Sequence, residues 1–243
     1  DADIYGPNTP SMLGVTEENP KVTDGNGNDQ RLIPINKYGI SLVSMGFLIE
    51  EGQPVIWRGP MASKALNQMI FDATWGELDF LLVDLPPGTG DIHLSILQAL
   101  PVTGSVIVST PQNIALADAR KGIAMFNQKS INVPVLGIVE NMAYFTPMEL
   151  PENKYYIFGR DGAKNLSKDM DVELLGEVPI VQSIREASDF GHPASLQENS
   201  KISLTFNEIS KNLVSELVKR NKDLPPSEIL KITTMAGCSA VNK

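Results

Sequence analysis

The sequence predicts an α/β fold, a doubly wound and mostly parallel sheet flanked by helices, and three observations carry that prediction. Phe80-Leu81-Leu82-Val83 is an apolar run without alternation, which suits a strand buried on both faces of a parallel sheet. Ser105–Thr110 (SVIVST) and Val133–Glu140 (VPVLGIVE) have the same character. Segments with helical spacing of apolar residues alternate with these runs, and parallel strands need crossover helices.

The first run ends in Asp84, followed by Leu85-Pro86-Pro87-Gly88-Thr89-Gly90. The prolines forbid helix and ladder pairing, and the glycines let backbone approach a ligand closely. In open α/β sheets ligands collect beyond the carboxyl ends of strands. An apolar strand ending in Asp is one way to hold Mg²⁺ beside a nucleotide's phosphates. From this stretch alone, a solvated acidic strand end before a Pro-Gly loop reads equally well.

Taken in order, the chain opens with Asp1-Ala2-Asp3-Ile4-Tyr5-Gly6-Pro7-Asn8, read as the end of a strand passing into a loop. On extended backbone Asp1 and Asp3 point the same way, toward one cation or one attacking water. A frayed acidic terminus is the plainer reading. Residues 9–31 are a polar connection with a dense turn signal at Asp24-Gly25-Asn26-Gly27-Asn28. Short strands are expected at Arg31–Ile35 and Ile40–Ser44, hairpin-like around Asn36-Lys37-Tyr38-Gly39, and at Pro54–Arg58.

Gly59-Pro60 opens a helix, with Met61, Ala65, Leu66, Met69 and Ile70 inward and Gly76 beyond its end. Asp91–Leu100 is a helix with Ile92, Ile96, Leu97 and Leu100 inward. Asn113 caps another that runs to about Lys129, with Ile114, Ala117, Ile123 and Phe126 inward. Tyr144–Phe158 is an irregular insertion, Gly162–Met170 a short helix, and Leu174–Val178 a last strand closed by Pro179. Ser183–Phe190 is a helix stopped by Gly191 and Pro193. A long helix from about Ser195 to Asn221 carries the stripe Ile202, Phe206, Ile209, Leu213 and Leu217, which reads as core packing. The expected organisation is one domain over 1–221 and a C-terminal tail over 222–243, without internal repeats.

The 243 residues, 42 % hydrophobic, suffice for one sizeable core. No apolar run approaches the roughly 20 residues of a membrane span. A net charge of −9 argues against nucleic acid or an anionic membrane surface as the default partner. The single cysteine excludes an internal disulfide and is compatible with the reducing cytoplasm, the expected location. His93 and His192 are too isolated to suggest a metal site.

Six segments together resemble the Mrp family of P-loop ATPases, iron–sulfur cluster carriers related to MinD and ParA. They are DADIYGPNTPSMLG (1–14), WRGPMASKALNQM (57–69), LDFLLVDLPPGTGDIHLSI (78–96), TPQNIALADARKGIAMF (110–126), ENMAYF (140–145) and GEVPIVQSIREASDFGHP (176–193). The resemblance implies that Asp3 is the switch I aspartate orienting the water that attacks the γ-phosphate. It implies that Asp84 is the Walker B aspartate holding Mg²⁺, with Asp1 near the metal. Gly88, within Pro86–Gly90, falls in switch II, whose backbone senses the γ-phosphate. Asn141 matches a base-contacting asparagine, and Pro179 the loop flanking adenine. The implied protein is an ATP-hydrolysing homodimer, using ATP and Mg²⁺, that passes a transient Fe–S cluster to apo iron–sulfur proteins. Phosphoryl transfer needs positioning and charge neutralisation more than covalent chemistry, which such a residue set can supply.

Two departures qualify this expectation. No GKGGVGKS-like loop precedes the Asp1–Asp3 segment, so the sequence reads as N-terminally truncated, with that loop expected roughly 30 residues upstream, the scale of a βαβ unit. The chain as given is expected to be inactive, because the loop's amides and lysine cradle the phosphates. Secondly, the family's Cys-x-x-Cys after the NM-x-YF segment is replaced here by TPMELPENKYYIFG. The only thiol is Cys238, for which the plainer reading is an incidental tail cysteine; the other reading makes it a cluster ligand, although a homodimer would offer two thiolates where four are usual. The alternatives are a MinD- or ParA-like spatial organiser, or a non-catalytic interaction module. Residues 224–243 carry only Lys231 and Lys243 as basic groups, which disfavours a basic membrane-binding helix.

Overall fold

A computed structural model describes residues 1–24, 30–48, 59–147 and 149–230. The chain enters through a single helical turn, α1 (Thr9–Met12), with Pro10 in its first turn, and then forms a small antiparallel hairpin. Its strands are β1 (Ile35–Lys37) and β2 (Ile40–Leu42), with Ile35 opposite Leu42. Tyr38 and Gly39 turn it at φ of 52° and 77°, the left-handed pair that a two-residue hairpin loop of the primed type requires. The hairpin is therefore where the sequence predicts it, but the first strand is displaced toward the turn. Leu32 makes isolated bridges to Val22 and Ala73 instead of opening a strand at Arg31.

Helix α2 (Gly59–Phe71) packs against α3 (Asp91–Ala99). Ala62, Leu66 and Met69 face Ile92 and Ile96, together with Ala2, Ile4, Val43 and Met45 from the first segments. Met61, expected inward, is exposed, because the buried stripe begins one residue later, at Ala62. The main sheet follows, made of β3 (Ser105–Ser109), β4 (Val135–Phe145) and β5 (Leu174–Ile180), all parallel and in that spatial order. Leu136 to Glu140 of β4 are buried without a break, the continuous pattern of a strand covered on both faces.

Helices supply that cover, so the doubly wound architecture holds. On one face α4 (Asn113–Phe126) and α5 (Gly162–Met170) pack Ala119, Ile123, Ala163 and Leu166 around Ile138. On the other, α7 (Lys201–Asp223) sets Phe206, Ile209 and Leu213 against Val139, Leu175 and Val178, beside α6 (Gln182–Asp189). Two helix starts differ from expectation. Gln112 occupies the cap position of α4 with Asn113 already helical, and Ile114 lies on the exposed face. Helix α7 begins at Lys201, where the Ser200 side chain accepts the Ser203 N–H at 2.9 Å, because residues 194–196 form a separate 3-10 turn. Strand β5 runs through Pro179, which an edge strand tolerates because its missing N–H faces no partner. Beyond α7 the chain doubles back. The Leu230 N–H donates to Leu97 O at 3.0 Å, and its side chain joins Leu97, Met125, Phe126 and Val133.

The main correction concerns Phe80–Val83. This run joins no ladder among the described residues; Phe80 and Leu82 are 59 % and 82 % exposed, and Val83 alone of the four is partly buried on the α2–α3 core. A strand is stabilised by its pairing, and among the described residues β3 pairs only with β4. The expected strand Pro54–Arg58, the turn at Gly25–Asn28 and the C-terminal Cys238 lie outside the described residues.

Candidate functional site

The segment Asp1–Asp3 is held between two others. The Asp1 nitrogen donates to Val43 O and the Ala2 N–H donates to Asp84 O, both at 2.8 Å. Ala2 and Ile4 point into the core while Asp1 and Asp3 remain half-buried, the alternation of extended backbone. The Ala2–Asp84 bond thereby brings two distant parts of the sequence side by side. Asp1 Oδ2 accepts a hydrogen bond from Ser44 Oγ at 2.7 Å, and Ser44 Oγ in turn accepts the Gly46 N–H at 3.0 Å. Asp3 Oδ1 accepts the N–H groups of Tyr5 and Gly6, at 3.0 and 3.1 Å. Nothing among the described residues donates to the Asp84 carboxylate.

Carboxylates are hard oxygen donors, the class of ligand that Mg²⁺ takes. Magnesium keeps several waters, so one or two carboxylates suffice beside a phosphate. Both oxygens of Asp1 accept hydrogen bonds, Oδ2 from Ser44 Oγ and Oδ1 from the Asp3 N–H at 3.2 Å, whereas those of Asp84 accept none among the described residues. Among the described residues no group of three or more His, Cys, Asp or Glu is placed to hold a metal ion. Gly88 follows at φ +100°, a conformation strained for other residues, and a Cβ there would meet nothing within 4 Å. The loop presents bare backbone to open space.

The other predicted residues form a second group at the carboxyl end of the main sheet. Asn141 of β4 lies opposite Val178 of β5, next to Pro179. Its Oδ1 accepts the Met142 N–H at 2.9 Å, and Met142 has φ +54° where the ladder becomes irregular. No hydrogen bond joins this group to the carboxylates among the described residues. An open cleft of about 480 Å³ lies elsewhere, between α4 and α5, lined by Pro111, Arg120, Arg160 and Asp169. Its cations are engaged with acids: Arg120 with Asp169 at 2.8 Å and Arg160 with Asp161 at 3.5 Å. We assign it no role in the chemistry.

Sequence reasoning misses two buried polar residues here. Ser44, 1 % exposed, orients Asp1, but an isolated serine after an apolar pair carries no signal. Glu140 is buried and accepts the Ala163 N–H; burial pushes its carboxyl above the usual range, the Ala163 bond opposes this, and Glu177 and Asp161 add to the rise. His93 is also buried in α3 with Nδ1 unpaired, and burial lowers its pKa.

The layered α/β fold is that of the MinD-like P-loop NTPases. A nucleotide-binding protein from Archaeoglobus fulgidus, solved in complex with ADP, superposes with a TM-score of 0.68 at 34 % identity, over 85 % of this chain and 76 % of that one. The cell-division ATPase MinD of Pyrococcus furiosus shares the fold at a TM-score of 0.59 and 20 % identity, over 88 % of this chain and 84 % of its own. The chain belongs to the ParA family of NUBPL iron-transfer P-loop NTPases, whose model matches residues 1–214. It is similar to the iron–sulfur cluster carrier protein of Synechocystis, with 50 % identity over 79 % of this chain and 54 % of that protein. It is also similar to the iron–sulfur cluster transfer protein NUBPL of Dictyostelium discoideum, with 45 % identity over 92 % of this chain and 68 % of that protein. The chain thus spans between about half and two thirds of the length of these relatives.

Proposed function

We propose that the protein is an ATP-hydrolysing iron–sulfur cluster carrier, acting as a homodimer and delivering a transient cluster to apo iron–sulfur proteins. The observation that carries the reading is the Ala2–Asp84 backbone bond, which brings the Asp1–Asp3 segment beside that of Asp84, in a chain of this family. In this reading Asp84 and Asp1 hold Mg²⁺, which when bound neutralises charge on the nucleotide phosphates. Asp3 orients the attacking water through Oδ2, its other oxygen being engaged with Tyr5 and Gly6. The Gly88 loop offers backbone donors near the reacting phosphate, while Asn141 and Pro179 flank the base. The names of the Synechocystis and Dictyostelium relatives support the cluster as cargo. Cys238 is the candidate cluster ligand from this sequence.

The test is anaerobic reconstitution of the complete gene product with iron and sulfide, followed by desalting, iron analysis, and incubation with an apo iron–sulfur acceptor. Retained iron that moves to the acceptor, alongside Mg-dependent ATP hydrolysis, is the expected result. A protein that hydrolyses ATP but neither retains nor transfers iron overturns the carrier assignment. Equal retention and transfer by Cys238→Ser removes that thiol from the mechanism.

A further inference from the structure

Glu140 is a buried acid that the proposed chemistry does not use. It precedes Asn141 in β4, is 2 % exposed, and lies opposite Ser109 of β3 and Glu177 of β5. Its carboxylate accepts the Ala163 N–H in the first turn of α5. That amide is one of those a helix leaves without an intrahelical partner. Helix α5 has no local substitute, because Asp161 at its cap position is left-handed, at φ 55° and ψ 25°, and its side chain caps nothing.

The same turn is pressed against the end of β3. A Cβ at Gly162 would come within 2.7 Å of both Cα and O of Pro111, and Gly159 passes the Pro111 carbonyl at φ +115°. The carboxyl ends of β3 and β4 and the amino end of α5 therefore form one packed joint, with Glu140 as its polar tie. Directly beyond it β4 leaves regular pairing. The register to β5 shifts between Asn141 and Phe145, and Met142 is left-handed. The direction in which Asn141 departs depends on how firmly β4 is held one residue earlier. Burying a carboxyl is costly unless it is hydrogen-bonded, so an acid here needs a reason that packing alone does not supply.

We propose that Glu140 is a positioning residue for the base end of the nucleotide site, fixing Asn141 by capping α5 from within β4. The proposal rests on the nucleotide reading of Asn141 given above. A side-chain amide held in one orientation matches the donor and acceptor edge of adenine and mismatches that of guanine. Loosening β4 should therefore erode base discrimination more than overall stability.

The experiment compares Mg-ATP and Mg-GTP affinity in the complete gene product. Glu140→Gln keeps an oxygen acceptor for Ala163, whereas Glu140→Leu fills similar volume and leaves that amide unpaired. Leu213→Ala in α7, on the opposite face of the sheet, is a destabilised control. Glu140→Leu should lose about tenfold in its ATP-over-GTP preference, the scale of one well-made hydrogen bond, with Glu140→Gln within about twofold of wild type. Should Glu140→Leu fail to fold, Glu140→Asp, one methylene too short to reach Ala163, takes its place. An unchanged preference in both capping-deficient variants, or an equal loss in Leu213→Ala, overturns the proposal. A wild type that binds both nucleotides without preferring ATP removes the Asn141 reading and the inference with it. A wild type that prefers ATP, joined to an unaffected variant, refutes the inference alone.

Discussion

Asp3 separates chemistry from architecture most cleanly. Its Oδ1 already accepts two backbone N–H groups, from Tyr5 and Gly6, so Asp3→Ala would remove a loop tie as well as a carboxylate. Hydrogen bonds to charged groups are worth ~1.5–3 kcal/mol each when water is excluded. Tyr5 is largely exposed, so water substitutes there, and the loss in Asp3→Ala should amount to about 1–2 kcal/mol. Asp3→Asn retains an oxygen acceptor for both amides, and its stability should change by no more than ~0.5 kcal/mol. If Asp3 orients or activates the attacking water, the neutral amide should still lower hydrolysis by roughly 10²- to 10⁴-fold. The assay is phosphate release by the complete gene product at saturating Mg-ATP, with equilibrium nucleotide binding and a thermal melt on the same preparation. Binding within a few-fold of wild type with hydrolysis abolished is the expected pattern for Asp3→Asn. Hydrolysis within about threefold of wild type would refute the water-orienting role, since general-base contributions are rarely so small. A binding loss as large as in Asp84→Ala would instead make Asp3 a phosphate or metal contact.

Asp84→Ala should weaken nucleotide binding in Mg²⁺ far more than in EDTA, because its proposed role is exerted through the metal; titrations under both conditions read this directly. Gly162→Ala should destabilise by about 1–3 kcal/mol in denaturant melts, since the added methyl meets Pro111 backbone, which cannot rotate away. Glu140 gives a pH prediction with a definite sign. Its folded-state pKa is raised by burial, reinforced by Glu177 of β5 and Asp161 at the start of α5, so the folded state holds the proton more tightly than the unfolded chain. Its contribution to stability is then present below the unfolded value and lost as pH rises through the folded one. The melting temperature of Glu140→Gln relative to wild type should accordingly increase from acid to neutral pH, and a flat difference would contradict the assignment.

Most of the fold is legible in the sequence because its core elements combine periodicity with punctuation. Leu136–Glu140 and Ser105–Ser109 stand out as apolar runs, and Asp91–Ala99 and Gly162–Met170 as segments of helical spacing between turn residues. Errors gather at helix starts, where competing caps differ by small energies. Ser195 and Ser200 both precede the last helix, and only Ser200 has its hydroxyl aligned with an N–H three residues on. The carboxylates are legible as types, since Asp after an apolar run and Asp-x-Asp are unusual where a core segment emerges. The adjacency of their segments is not, because it depends on a backbone bond between Ala2 and Asp84 that no local pattern encodes.

Phe80–Val83 marks where reading a sequence and forming a structure part company. Its composition is that of a buried strand, yet burial is a property of neighbours. Val106 and Val108 on β3 are likewise exposed, so two apolar segments lack cover among the described residues, although each has the composition to be covered. The hydrophobic pattern therefore specifies strand propensity and the number of faces to be buried, while pairing decides whether the ladder forms. Ser44 and Glu140 fail in the opposite direction. Each is a polar residue beside apolar ones, which periodicity reads as a face boundary, and each instead lies inside the molecule against a partner distant in sequence. Buried polar residues of this kind are selected by one specific bond, and only the folded topology reveals that bond. Of the two, Glu140 has the greater consequence for function, because its partner is a helix terminus and its neighbour is Asn141.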